Sequence, residues 1–258
     1  MRYPATWITI HGKPKANPDP VPEQSRTCGR HFVNQIHPSN QYGRYCVPAG
    51  LEARPAAKAV LAGGVYEPET IAFMRAHAGG GDVIHAGTFF GDFLPGVAAA
   101  LAPGAMLWAF EPNPGSCACA RETIALNGLQ NVTLTNAGLS NREAEMLFRT
   151  HDAAGAALGG LSHFTDAPGP GVTTVQTAML DFAIPRDRKV SILQLDVEGH
   201  EKQALKGAYH LLHRCKPILI LENHGNETWV QRSFRGLGYE KRGKLHGNFV
   251  YATTDLTV

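Results

Sequence analysis

Three apolar runs end in residues able to handle a proton. VSILQL is followed by Asp196 and then Glu198, PILIL by Glu222, Asn223 and His224, and VI by His85. Carboxylates and imidazoles at such positions are candidates to act as general bases. Asp196, Glu222 and Asn223 also offer hard oxygen ligands, so a cation is a further option. Each residue has an ordinary alternative. Asp196 could cap a helix beginning near Gly199, and His200 could face solvent from that helix's first turn. Which reading holds depends on whether the run ends share one edge of a sheet.

The elements needed to bring them together are legible. Apolar segments predict strands at 82–86, 105–110, 131–136, about 172–178, 190–197 and 217–223, with helices between them at about 92–101, 115–127 and 200–213. A further helix is expected from the stretch 63–74 up to the glycines at 79–81, and GYEKRGKLHGNFVYATT predicts two strands joined by a tight turn. Ala204, Leu205, Ala208, Leu211 and Leu212 fall on one helical face. Alternating strand and helix give right-handed crossovers and align the strand C-termini along one edge, where ligands bind in such folds.

The loop after the first of these strands, in VIHAGTFFGDF, carries Gly87 and Gly91, which allow a tight turn and close backbone approach to a ligand. Glu111 ends the next strand about twenty residues on, where a carboxylate can accept both ribose hydroxyls of an adenosine. The spacing G-x-x-x-G, filled by Thr88, Phe89 and Phe90, departs from the dinucleotide pattern and suits a ligand with an amino-acid tail better than a pyrophosphate. A nicotinamide oxidoreductase is therefore disfavoured.

The 258 residues suffice for one large α/β domain with an N-terminal extension, here divided as 1–62 and 63–258. Lys and Arg total 24 against 22 acidic residues, and no basic run appears, so a nucleic-acid partner is not expected. Five cysteines without CxxC spacing argue against a disulfide framework or a zinc knuckle. With no signal-like or membrane-spanning run, the expectation is a cytoplasmic protein. The twelve histidines lack metal-binding spacing. Residues 11–30, rich in Pro, Asn, Lys and Asp, predict an irregular arm that could wrap a partner subunit of a homo-oligomer or lie on its own domain, and WITI a short edge strand. The polar, Gly-rich stretch 151–171 could wall an acceptor site or remain a loop, and Met146 and Phe148 are expected in the core.

In order and spacing, VIHAGTFFGDF, FEPNPGSCACARETIALNGLQNVTL, LQLDVEGHEKQALKGA and PILILENHG resemble the FkbM family of S-adenosylmethionine-dependent methyltransferases, over roughly residues 63–253. The resemblance implies a class I methyltransferase (Rossmann-like) fold: a seven-stranded, mostly parallel sheet flanked by helices, its first and fourth strands adjacent. It implies S-adenosyl-L-methionine as cofactor and O-methylation of a hydroxyl on a sugar, natural product or glycolipid precursor. N-methylation on the same scaffold and a non-catalytic cofactor-binding module are the alternatives. Carried over, Gly87, Thr88 and Gly91 would line the methionine portion and Glu111 the ribose. Pro112 and Asn113 would flank the adenosine, and the segment of Gly138 and Leu139 would lie against adenine. Glu67, His85, Phe89, Asp92, Phe93 and Asp196 would complete the cofactor's surroundings. Asp196, Glu198, Glu222 and His224 would be catalytic, with no metal assigned. Glu201 and His200 close the D-x-E-G-H-E motif. His85 replaces the family's usual aspartate. Adjacent strands would put His85 about 5 Å from Asp196, close enough for the imidazole to donate to that carboxylate and for its charge to favour imidazolium.

Overall fold

The computed structural model describes residues 37–222, 225–256 and 258. WITI, the 11–30 arm, Asn223 and His224 lie outside the described residues.

Seven strands form the main sheet: β1 Asp82–Ala86, β2 Leu107–Phe110, β3 Val132–Thr135, β4 Val190–Leu195, β5 Ile218–Glu222, β6 Glu240–Leu245 and β7 Asn248–Ala252. Their order is β3-β2-β1-β4-β5-β7-β6. The first five run parallel, and β7 enters antiparallel between β5 and β6. This is the class I methyltransferase sheet implied by the resemblance, with β1 and β4 adjacent.

The strand sequences explain their place. Every residue of β1 is buried, as are five of the six in β4, so both need apolar cover on each face. Ile84, Leu193, Leu205, Leu211 and Tyr251 share one core cluster, while Val83, Ile192, Ile220, Met74 and Leu94 belong to a second. At roughly 1.5–3 kcal/mol for each fully buried large apolar side chain, these two cores hold the sheet between its helices. Asp82 pins the opposite edge, away from the strand C-termini. Only 1% exposed, it accepts from Arg188 Nε at 2.7 Å, Trp108 Nε1 at 2.8 Å and the Met106 amide at 2.9 Å.

Two expectations change. The helix expected at 200–213 is two, Glu201–Lys206 and Tyr209–Cys215. Its apolar positions are all buried, but at Gly207 a Cβ would stand 2.0 Å from the Ser140 carbonyl oxygen. The chain turns there, and Asp181 caps the second helix by accepting from the His210 and Leu211 amides at 3.0 and 2.8 Å. The strand Val172–Ala178 forms as expected but joins a separate four-stranded sheet with Gly138–Leu139, Ala144–Arg149 and His163–Phe164. Phe148 is buried in that sheet, and Met146 is half-buried.

Residues 37–62 dock on the glycine loop. Tyr45, Val47, Leu51 and Val60 pack with Phe89 and Phe90, and the Cys46 amide donates to Thr123 Oγ1 at 3.1 Å on the helix Pro114–Leu126.

Candidate functional site

The C-terminal ends of β1, β2, β4 and β5 open into a cavity of about 670 Å³, within the range of small-molecule sites. Residues 54–56 and 65–68 close one side, the second sheet another, and the β6–β7 turn a third. Strain gathers here. Among the described residues, five non-glycine residues have left-handed backbone, and four of them, Glu67, Phe89, Glu198 and His246, line this cavity.

Gly87 fixes the glycine loop. Its φ is +82°, and a Cβ would lie 1.7 Å from the Asp196 carbonyl oxygen, so the loop backbone rests directly on the end of β4. Thr88 and Gly91 stand one layer back: the Thr88 hydroxyl donates to the His85 carbonyl at 3.1 Å, and Gly91 packs on Leu94 and Ala120. Phe89, Asp92 and Phe93 face the cavity. Burial, the largest influence on Asp92, pushes its pKa up to about 7.

Glu111 is 6% exposed and accepts from the Phe89 amide at 2.7 Å through one oxygen and the Asn113 amide at 2.8 Å through the other. Burial pushes its pKa up to about 7 against these two bonds. A carboxylate has about four lone-pair sites, so two remain to accept hydroxyl donors. Asn113 caps the following helix through Gly115 and Ser116, whereas Pro112, Gly138 and Leu139 line the cavity.

His85 does not reach for Asp196. Its Nδ1 donates to Gln194 Oε1, its register partner on β4, and its ring stacks on Phe93 with centroids 5.0 Å apart. Gln194 projects on the same face of the sheet as His85, whereas Asp196 lies beyond the last paired residue of β4. Burial pushes the imidazole pKa down to about 4, so the ring is neutral and the expectation of an imidazolium is corrected. Its Nε2 is buried without a partner on the cavity wall, an acceptor that an N–H of a ligand would satisfy.

Asp196, Glu198 and Glu222 converge at the far end. One carboxylate oxygen from each lies within 4.8 Å of the others. Burial first, then the neighbouring Glu222, raise the Asp196 pKa well above its ordinary value. Glu67, lifted by burial, accepts from Thr70 Oγ1 and Asn248 Nδ2, both at 2.9 Å. Glu201 is fully buried and braces the turn, accepting from the Val197 and Gly199 amides at 3.3 and 3.2 Å. His200 sits behind the wall, its Nε2 3.1 Å from Ser140 Oγ, and is kept neutral by burial with a pKa of about 4.

Sequence reasoning missed Tyr66, Gln194, Asn248 and the aromatic wall of Phe148 and Phe164, all facing this cavity. A signal existed for Gln194, a polar residue inside an apolar strand run. None marked Asn248, which sits in a hairpin strand whose partner only the sheet order reveals.

The family model described as the Methyltransferase FkbM domain matches residues 85–240, more than half of the chain. No curated protein matches. Among solved structures, the FkbM methyltransferase of Methylobacillus flagellatus KT is 16% identical over 67% of this chain and 43% of its own, with a TM-score of 0.45. This chain thus spans less than half of that protein. A SAM-dependent methyltransferase from Aquifex aeolicus is 17% identical over 73% and 89%, at 0.42. A tRNA (uracil-54, C5)-methyltransferase of Pyrococcus abyssi, in complex with S-adenosyl-L-homocysteine, is 14% identical over 72% and 37%, at 0.38. The family match covers the glycine loop, Glu111 and the motif at Asp196, and the site offers paired acceptors for a ribose, a backbone cradle at Gly87 and an orphaned acceptor at His85. By that match the chain belongs to the FkbM methyltransferase domain family, and its cofactor is S-adenosylmethionine.

Proposed function

We propose that this domain transfers a methyl group to the oxygen of a small or glycosidic hydroxyl, on a sugar, a natural product or a glycolipid precursor. The observation that carries this reading is that one cavity gathers two sets of groups from different strand ends. Glu111, Gly87 and His85 gather at the ends of β1 and β2, while Asp196, Glu198 and Glu222 gather at the ends of β4 and β5.

S-adenosylmethionine, when bound, supplies a methyl group on a sulfonium whose departure needs no acid. The chain's tasks are then alignment and removal of the acceptor's proton. Glu111 would hold the ribose through the lone pairs its backbone bonds leave open. The loop at Gly87 would set the depth of the cofactor against the end of β4. Phe89, Phe110 and Phe164 form apolar wall, which limits water near the transferring group. At the other end the acidic cluster would receive the acceptor hydroxyl and draw on its proton. The stretch 159–162 lines the cavity, and half-exposed Leu161 stands at its lip, consistent with a wall for the acceptor.

Mass spectrometry of the reaction with methyl-labelled cofactor and a panel of sugar, polyol and amine acceptors tests this. Label on oxygen supports the reading. Label on nitrogen alone would replace it with N-methylation, and cofactor binding without transfer to any acceptor would leave a binding module.

A further inference from the structure

The segment 37–62 runs along one face of the helix Pro114–Leu126. Gly43 packs so closely that a Cβ there would stand 2.2 Å from Asn127 Oδ1. Arg44 and Asn127 exchange two hydrogen bonds: the Arg44 amide donates to Asn127 Oδ1 at 2.9 Å, and Asn127 Nδ2 donates to the Arg44 carbonyl at 2.6 Å. The Cys46 amide donates to Thr123 Oγ1 at 3.1 Å, and that hydroxyl donates to the Phe90 carbonyl at 2.9 Å. Cys119, Thr123 and Asn127 follow one another at i, i+4 and i+8, so they share the face that the segment covers.

This docking brings two thiols together. Cys46 is fully buried and Cys119 is 4% exposed, both in the cluster that holds Tyr45, Val47, Leu51, Phe89 and Phe90. Their sulfurs are in hydrogen-bond contact, with the Cys46 S–H donating to Cys119. Cys117 lies on another face, its sulfur 3.8 Å from Arg121 Nη2. Beyond Cys46 the same segment reaches the cavity. Arg54, Pro55 and Ala56 line it, and Arg54 Nη2 donates at 2.6 Å to the carbonyl of Ala157, in the stretch 151–171.

We propose that Cys46 and Cys119 are a redox site: a hydroperoxide converts the two thiols to a disulfide that fastens the segment 37–62, and with it one wall of the cavity, to the helix behind the glycine loop. The site is separate from methyl transfer and does not depend on the identity of the acceptor. Neither residue belongs to a CxxC pair, and they meet only because the segment docks.

The chemistry follows from the contact. Accepting the hydrogen bond holds the Cys119 thiol below its ordinary pKa, and donating it, together with burial, pushes Cys46 up, so Cys119 supplies the thiolate. That thiolate attacks the peroxide, the O–O bond breaks, an alcohol (water from hydrogen peroxide) leaves, and Cys119 becomes a sulfenic acid. The Cys46 sulfur then attacks the sulfenic sulfur. An S–S bond forms, the S–O bond breaks, and the hydroxyl leaves as water with the Cys46 proton. In total two thiols give up two electrons and two protons, and the peroxide is reduced to one alcohol and one water. Sulfurs about 2.0 Å apart are needed for the bond, so the side chains close in from hydrogen-bond contact. The link encloses β1, the glycine loop and β2 in one long loop, the case in which a cross-link restrains the chain most. Both thiols lie beneath the segment, so peroxide reaches them as the segment lifts, and the bond, once made, opposes that lifting.

The test uses the full chain, reduced and then treated with hydrogen peroxide. Peptide mapping by mass spectrometry should find Cys46 joined to Cys119 with the loss of two hydrogens, a change that dithiothreitol reverses. Hydrogen exchange over residues 44–60 should slow by about tenfold or more in the oxidised chain and recover on reduction. Cys119→Ser, treated in the same way, should show neither the link nor the change in exchange. Unreacted thiols at Cys46 and Cys119, a sulfinic acid at Cys119 in place of the link, or a link from either residue to Cys28, Cys117 or Cys215 would overturn the pair. A Cys46–Cys119 link that leaves exchange over 44–60 unchanged would overturn the fastening. The wild-type chain alone decides these outcomes, so they hold even where the Ser variant does not fold.

Discussion

Replacing Glu111 with Gln separates the cost of this residue to the fold from its value to the cofactor. Its pKa of about 7, against an ordinary 4.5, means that burial disfavours the ionised form by about 3 kcal/mol. The sign follows. The folded state keeps a proton that the unfolded state has lost between these two values, so stability falls as pH rises through that window. At pH 8 the wild-type protein carries that full cost. Gln carries none, but its amide can accept from only one of the Phe89 and Asn113 N–H groups and leaves the other facing an NH₂, at about 1–3 kcal/mol. The two effects oppose each other, and thermal unfolding at pH 8 should place the variant within about 2 kcal/mol of wild type. Cofactor binding has no such compensation. Two ribose hydroxyls need two acceptors, and the amide nitrogen is not one, so calorimetry with S-adenosylhomocysteine should show a loss of about 1–3 kcal/mol, roughly 5- to 150-fold. Wild-type affinity should also rise from pH 6 to pH 8 as Glu111 ionises, and the Gln variant should lose that part of the slope, leaving whatever Asp92 contributes. Affinity within twofold of wild type at pH 8, in a folded variant, would refute the assignment of Glu111 to the ribose.

Gly87→Ala forces a side chain into left-handed backbone, at about 1–2 kcal/mol, and onto a carbonyl oxygen 1.7 Å away; the melting temperature should fall and S-adenosylhomocysteine binding should be lost, and retained affinity would show that the loop has room to move. Asp82→Ala leaves buried donors unmatched and should cost about 3 kcal/mol in denaturant unfolding, in line with breaking a buried pair. Burial acts to raise the Asp82 pKa, but Arg188, Trp108 and Met106 more than offset it and hold the value low, so this contribution is present above about pH 4 and is lost as pH falls through the depressed folded value. A flat difference between variant and wild type across the acid range would contradict that. Nitrogen-15 spectra of His85 should show a neutral ring protonated at Nδ1 from about pH 5 to about pH 8; titration near the ordinary value of about 6.5 would mean that the ring is not buried against Gln194.

The main sheet was legible because its strands are short apolar runs with glycine or polar breaks, and because VIHAGTFFGDF and LDVEGHE carry spacing that few other arrangements would share. Glu111, Asp196 and Glu222 could be placed on one edge for the same reason: each ends a run, and parallel connectivity brings the ends of runs together. The second sheet was harder to see. Gly138–Leu139 and His163–Phe164 are two residues long and have no periodicity of their own; pairing with Val172–Ala178 and Ala144–Arg149 defines them. The break at Gly207 was hidden because the helical pattern continues through it, and only the approach of Ser140 from the second sheet shows why the chain must turn. His85 shows the limit of strand adjacency. Being on neighbouring strands places two residues near each other, but His85 stands in register with Gln194 and Asp196 lies two residues farther along, past the last paired position, so Gln194 takes the contact. Asn248 lies far from every motif in sequence and reaches the site through antiparallel pairing with Glu222.

The central claim is that the cofactor lies in this cavity with its ribose at Glu111 and its sulfur turned toward the end of β4. A crystal structure of the chain with S-adenosylhomocysteine tests it directly. The expected result has both ribose hydroxyls within hydrogen-bonding distance of the Glu111 carboxylate, the amino-acid tail against the Gly87 loop and His85 Nε2, and the sulfur facing the space bounded by Asp196 and Glu222. A ligand seated elsewhere, or one whose ribose leaves Glu111 bonded only to the Phe89 and Asn113 amides, would contradict the account.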